Sequence, residues 1–121
     1  MKINKKVDSK LSSVISNLCE IQGDLVFSSS LHVKGKVHGD VRATAKDADE
    51  AMVYAYENSH VVGNIQADVL IIAGKIDGNI TAHKYIKLEN TALVSGDITY
   101  ATIEMDLGAK VEGNFIKMEE K

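Results

Sequence analysis

Four histidines, one cysteine and a short run of carboxylates are the residues of this chain whose types could do chemistry. His32, His38, His60 and His83 would serve a zinc ion only if three of them converged within about 2.1 Å of one point. No HExxH helix or finger-like spacing joins them, and they are spread over different coils at outward positions with no shared face, so they read as surface histidines. Cys19 stands between Leu18 and Glu20, with no basic neighbour to favour its thiolate. A single cysteine cannot close an intrachain disulfide, which suits a reducing cytoplasm. Asp47, Asp49 and Glu50 lie close enough to meet a cation, but the rest of an EF-hand loop is missing, so a solvated loop is the reading. Tyr54, Tyr56, Tyr85 and Tyr100 read as wall residues rather than a stacking platform for bases. No Walker loop, GxGxxG, GxSxG or HExxH occurs. A net charge of -3 and a pI near 5.8 offer nucleic acid no basic footprint. The expectation is therefore no catalytic residue, no metal, no cofactor, and no nucleotide or nucleic acid as partner.

What remains unexplained is glycine. The pattern apolar-x-Gly-(Asp/Asn)-apolar occurs around Gly23, Gly39, Gly63, Gly78, Gly96 and Gly113, which accounts for six of the nine glycines. Successive members are 16, 24, 15, 18 and 17 residues apart. Such a unit is too short for ankyrin or tetratricopeptide repeats and suits one coil of a β-solenoid. Gly takes positive φ freely and Asn or Asp tolerates it, so the pair turns a corner. Asp24, Asp40 and Asp97 are accounted for by that role.

Between corners the patterning alternates. Leu25, Phe27, Leu31, Val33 and Val37 point inward in the first unit, with His32, Lys34 and His38 outward. Ala82, Ile86, Leu88 and Val94 repeat this, with Thr81, His83, Lys87 and Glu89 outward, and Ile98, Ile103, Met105, Val111 and Phe115 close the series. Period-two runs this short indicate half-buried strands, not helices. The absence of proline agrees, because proline would interrupt ladder pairing. At about 3.3 Å per residue, one unit closes into a coil with three short sides, and six coils stacked about 4.8 Å apart make a rod on the order of 30 Å long. The predicted class is thus all-β, with Ile86, Leu88, Ile98 and Ile103 in stacked core positions. The long 24-residue interval carries "ATAKDADEA", residues 43–51, read as an outward loop insertion.

The domain plan is a basic tail over residues 1–11, a solenoid over 12–116 and a short tail over 117–121. Residues 7–18 leave two readings, a helix with Leu11, Val14, Ile15 and Leu18 on one side, or an opening coil that contains Ile15 and Ile21; we favour the coil. The start "MKINKK" continues into Asp8, Ser9 and Lys10, which is not a signal peptide, and no run approaches the roughly 20 apolar residues of a membrane span. A solenoid of this kind has two open ends with unpaired backbone groups above an apolar interior. Val111, Phe115 and Ile116 at one end, and Ile15, Leu18 and Ile21 at the other, are the candidate polymerisation interface.

The segments "LHVKGKVHGDV", "VVGNIQADVLIIAGKIDGNITAHKYIKLENTALVSGDI" and "GAKVEGNF" resemble bactofilins, the polymer-forming cytoskeletal proteins of bacteria, over about residues 15–115. The resemblance implies a right-handed three-sided β-helix that polymerises with itself without nucleotide. It also implies a cytoplasmic protein, peripheral at the inner membrane, that scaffolds cell-shape, cell-wall or polar machinery. An N-terminal membrane-targeting segment is common in that family, and Lys2, Ile3, Lys5, Lys6 and Val7 are the candidate contact with anionic inner-membrane lipid. Two other readings compete. A left-handed hexapeptide acyltransferase requires 18-residue coils, which spacings of 15, 16 and 17 break; a monomeric solenoid adaptor differs only in what covers its ends.

Overall fold

The computed structural model describes residues 12–44 and 51–118, and every regular element in them is a β-strand. The strands fall into six coils of three sides each. Coil 1 holds β1 (Ser12–Ile15), β2 (Glu20–Gln22) and β3 (Leu25–Phe27). Coil 2 holds β4 (Ser30–Val33), β5 (Lys36–His38) and β6 (Val41–Ala43). Coil 3 begins with β7 (Met52–Ala55) and β8 (His60–Val62), and its third side is the first half of β9 (Ile65–Ile72). The rest of β9 opens coil 4, followed by β10 (Lys75–Asp77) and the first half of β11 (Ile80–Leu88). Coil 5 takes the rest of β11, then β12 (Leu93–Ser95) and β13 (Ile98–Tyr100); coil 6 is β14 (Ile103–Met105), β15 (Lys110–Glu112) and β16 (Phe115–Lys117).

Each strand pairs in parallel with its equivalents in the coils below and above, which gives the rod three flat faces. The second face is the separate six-stranded sheet β15-β12-β10-β8-β5-β2, while β9 and β11 bend from the third face onto the first and join those two into one sheet. Small residues allow that bend. Ala67 and Ala82 occupy the inward position at the corner, and the register shifts between Ala82 and Tyr85.

The core is a set of vertical columns. On the first face, Leu31, Val53, Leu70 and Ile86 stand in register, as do Val33, Ala55, Ile72 and Leu88. On the second face the column is Val37, Val61, Ile76 and Val94, and on the third Val41, Ile65, Ile80 and Ile98. All are fully buried or nearly so. Burying one Ile or Leu side chain contributes roughly 1.5–3 kcal/mol, so the stack rather than any local propensity holds the strands. Ile86, Leu88 and Ile98 lie in this core; Ile103 is only half-buried, because it belongs to the last coil and has neighbours on one side.

The unequal glycine spacing has a local cause. Passing from the first to the second face takes four residues in some coils, as at Tyr56, Glu57, Asn58 and Ser59, and two in others, Lys34-Gly35 and Ala73-Gly74. The two narrow corners seat inside wide turns of the preceding coil. A Cβ on Gly35 would lie 2.3 Å from the carbonyl oxygens of both Ser16 and Cys19, and one on Gly74 would lie 2.3 Å from Ser59 Oγ. The long interval spans Thr44 to Ala51, and Ala51 is buried with its N–H donating to Asp68 Oδ2 at 3.0 Å. Asp47, Asp49 and Glu50 lie outside the described residues.

Candidate functional site

The corner between the second and third faces repeats six times and carries a continuous side-chain ladder. Asp24 Oδ1 accepts the N–H of Asp40 at 2.9 Å, and Asp40 Oδ1 accepts that of Asn64 at 3.0 Å. Asn64, Asn79 and Asp97 continue it to Asn79, Asp97 and Asn114 at 2.9, 2.9 and 3.0 Å. The N–H groups of Gly23, Gly39, Gly63, Gly78 and Gly96 each donate to the backbone of the next coil, as Gly96 does to the Glu112 carbonyl at 3.0 Å. From the second coil upward the glycines are needed because their Cβ positions are filled: at Gly78 that position lies 2.1 Å from the Gly63 carbonyl oxygen, with φ at +157°, whereas at Gly23, in the first coil, nothing lies within 4 Å. All six corner glycines, Gly23, Gly39, Gly63, Gly78, Gly96 and Gly113, have positive φ.

The ladder stops at Asn114, and so do the sheets. Among the described residues, β14, β15 and β16 have no strand above them, and β1, β2 and β3 have none below. These two ends are where the described sheets stop. At the C-terminal end Val111 tops the column of Val94 and is half-buried, while Phe115 tops that of Ile98 and is 46% exposed. At the N-terminal end Ile15 and Ile21 lie under Val33 and Val37, half-buried against the core. Ile116 and Leu18 stand elsewhere. Ile116 is in register with Thr99 on the outer side of its strand, and Leu18 sits on a turn, 94% exposed. Residues beyond the sequence-derived set share the ends: Met105 above Leu88, and Leu25 and Phe27 below Val41 and Ala43. Their signal was available in the sequence, since any column residue of a terminal repeat must lie at an end. Lys2, Ile3, Lys5, Lys6 and Val7 lie outside the described residues.

The histidines go to three different faces, each with its own partner. His32 Nδ1 and the Tyr56 hydroxyl are hydrogen-bonded at 2.9 Å; His38 meets Glu20 at 3.0 Å; His60 meets Asp77 at 2.7 Å; His83 faces the Gln66 side chain at 3.2 Å. Cys19 is exposed at a first-to-second-face turn. A recess by the long interval is lined by Thr44, Gln66, Asp68 and His83, but its carboxylate is already engaged with the Ala51 N–H. The arrangement presents stacking surfaces rather than reactive groups. No helix among the described residues is long and apolar enough to cross a membrane.

Among the described residues the chain is an all-β, three-sided solenoid whose terminal strands pair on one side only. Residues 13–116 match the model of the Bactofilin family, described as polymer-forming cytoskeletal, and the chain belongs to that family. It is 28% identical over 100 residues to Bactofilin BacO of Myxococcus xanthus, spanning 78% of this chain and 79% of that one. A solid-state NMR structure of the cytoskeletal bactofilin BacA superposes with a TM-score of 0.76 at 31% identity, covering 92% of this chain and all of BacA. The family is a structural, cytoskeletal one, and its polymer-forming character makes this chain a self-associating protein.

Proposed function

We propose that this chain assembles end to end into filaments without nucleotide and serves as a cytoskeletal scaffold at the inner face of the membrane. The observation that carries the reading is that, among the described residues, the strands of the first and last coils pair on one side only. Stacking a second copy there pairs the open strands and covers Val111 and Phe115 at one end, and Ile15 and Ile21 at the other. Burying that apolar surface and satisfying the ladder both favour contact, so assembly needs no bound cofactor. Ile116 and Leu18 would flank the junction from the outside of the rod.

Membrane association would come from Lys2, Lys5 and Lys6 with Ile3 and Val7. Each basic residue near an anionic leaflet contributes only about 1 kcal/mol, so one copy binds weakly and a filament multiplies the contact. Cell-wall or polar proteins are the partners such a scaffold would position.

Electron microscopy and light scattering of nucleotide-free protein test the reading. Wild type is expected to form filaments, while Phe115→Arg keeps its strand content and stays short, because a charge is placed at the junction with few contacts below it disturbed. A wild type that remains monomeric at high concentration removes the proposal. Sedimentation with anionic liposomes, with and without residues 1–7, tests the membrane contact separately.

A further inference from the structure

The side chains that top the columns at the C-terminal end differ in chemistry. Phe115 over Ile98 and Val111 over Val94 are hydrocarbon, while Met105 over Leu88 carries a thioether. Met105 lies in β14, which pairs with β11 below and with no described strand above. It takes the inward position that Ile72 and Leu88 fill in coils 4 and 5, where both are fully buried. Met105 is 43% exposed because its column stops there. The other described methionines are placed differently. Met52 is half-buried on the outward, apolar side of the first face, beside Val69 and one row from Tyr54 and Ile71, where the Tyr54 and Tyr56 rings stack 4.2 Å apart. Met118 is half-buried past β16, its N–H donating to the Tyr100 carbonyl at 2.7 Å. At the N-terminal end the column positions are Ile15, Ile21, Leu25 and Phe27, none of which holds sulfur.

We propose that Met105 is a site of oxidation by hydrogen peroxide, and that its sulfoxide blocks the addition of a further copy at the C-terminal end. The inference rests on the end-to-end reading and adds a regulation to it. It holds whichever end of the next copy covers Met105. In the step, a lone pair on Sδ attacks one peroxide oxygen, an S–O bond forms and the O–O bond breaks. The departing hydroxide takes the proton from the new S–OH group, so thioether and peroxide become sulfoxide and water. Sulfur gives up two electrons and the peroxide accepts them. The product is polar and chiral where the thioether was apolar and adaptable. Closed between stacked apolar columns, its oxygen would be stripped of water, which costs free energy that the thioether does not incur. A methionine sulfoxide reductase reverses the step: two thiols are oxidised to a disulfide, and the sulfoxide oxygen leaves as water. Stacking covers Met105, so the reaction selects free chains and free ends.

The test uses the full chain carrying Cys19→Ser, so that the exposed thiol does not react in parallel. In a Phe115→Arg background, mass spectrometry after peroxide treatment is expected to find Met105 oxidised several-fold faster than Met52 or Met118. With Phe115 intact and the protein assembled, Met105 oxidation should slow several-fold. Equal rates at the three methionines, or an equal Met105 rate in free and assembled protein, would overturn the inference. Its consequence is read as the critical concentration for assembly, by light scattering, with circular dichroism checking that the strands persist. Peroxide is expected to raise that concentration about tenfold, and a methionine sulfoxide reductase with a dithiol to restore it. Met105→Leu should assemble and show no rise under the same treatment. Met105→Gln, which sets a polar amide at the position, should show a rise without peroxide. A critical concentration that peroxide leaves unmoved, or moves equally in Met105→Leu, overturns the inference and leaves end-to-end stacking standing. A chain that never assembles, treated or not, removes the end-to-end reading itself, and this inference with it.

Discussion

The N–H of Asn64 donates to Asp40 Oδ1 at 3.0 Å across 24 residues of chain, and the N–H of Asn79 donates to Asn64 Oδ1 at 2.9 Å across 15. One contact geometry thus survives both the longest and the shortest coil. Asp and Asn interchange along the ladder because the contact uses a single acceptor oxygen that both possess. The insertion after Thr44 therefore leaves the corner in register.

Removing one rung should cost little and removing a glycine much more. Asn79→Ala deletes the acceptor for the Asp97 N–H, and a loss of about 0.5–1.5 kcal/mol is expected in denaturant titration. Asn79→Asp should stay close to wild type. Gly78→Ala is expected to exceed both, because the new Cβ would press on the Gly63 carbonyl, which is backbone and cannot swing away. Equal midpoints for Asn79→Ala and Gly78→Ala would contradict this account of the corner.

Leu88 is fully buried between Ile72 and Met105 on the first face. Leu88→Asp places a carboxylate with no partner among apolar columns, which the domain cannot accommodate. No cooperative thermal transition is expected. A soluble variant that melts cooperatively would mean that Leu88 does not point inward.

Ser59 points the other way in sign. Its hydroxyl is buried without a hydrogen-bond partner among the described residues, and it fills the space left by Gly74. Ser59→Ala removes an unsatisfied polar atom and is expected to leave stability unchanged or raise it by up to about 1 kcal/mol. A fall of that size would show that the hydroxyl has a partner.

The Tyr85 hydroxyl donates to Glu104 Oε1 at 2.6 Å, and that hydrogen bond, followed by burial and the Glu104 charge, holds its ionisation above the ordinary 10.0. The neutral phenol is the favoured form, so the contribution is intact below about pH 10 and is lost as pH rises through the folded-state value. Glu104→Gln should bring the Tyr85 transition down in an ultraviolet titration. Tyr54, raised mainly by burial, should not follow it. Coincident titrations in wild type and Glu104→Gln would discount the pairing.

The amino-acid sequence by itself determined the coil. Alternation two residues long, an apolar-x-Gly-Asx-apolar corner recurring six times and the absence of proline admit few backbone paths, and each copy confirms the others. It also determined which residues top the columns, because Val111 and Phe115 occupy the last copy of positions that Val94 and Ile98 fill below. The tertiary structure decided what neighbours do across coils. That Gly35 and Gly74 seat in the preceding turn, that Ile116 faces outward, and that Tyr54 stacks on Tyr56 depend on which strands lie side by side. That pairing joins residues 15 to 24 apart, and the varying corner widths that set it cannot be counted until the coils are stacked. The apolar first face escaped the sequence for the same reason: Met52, Val69, Tyr54 and Ile71 alternate with core residues in two separate strands, and only their parallel register makes them one surface.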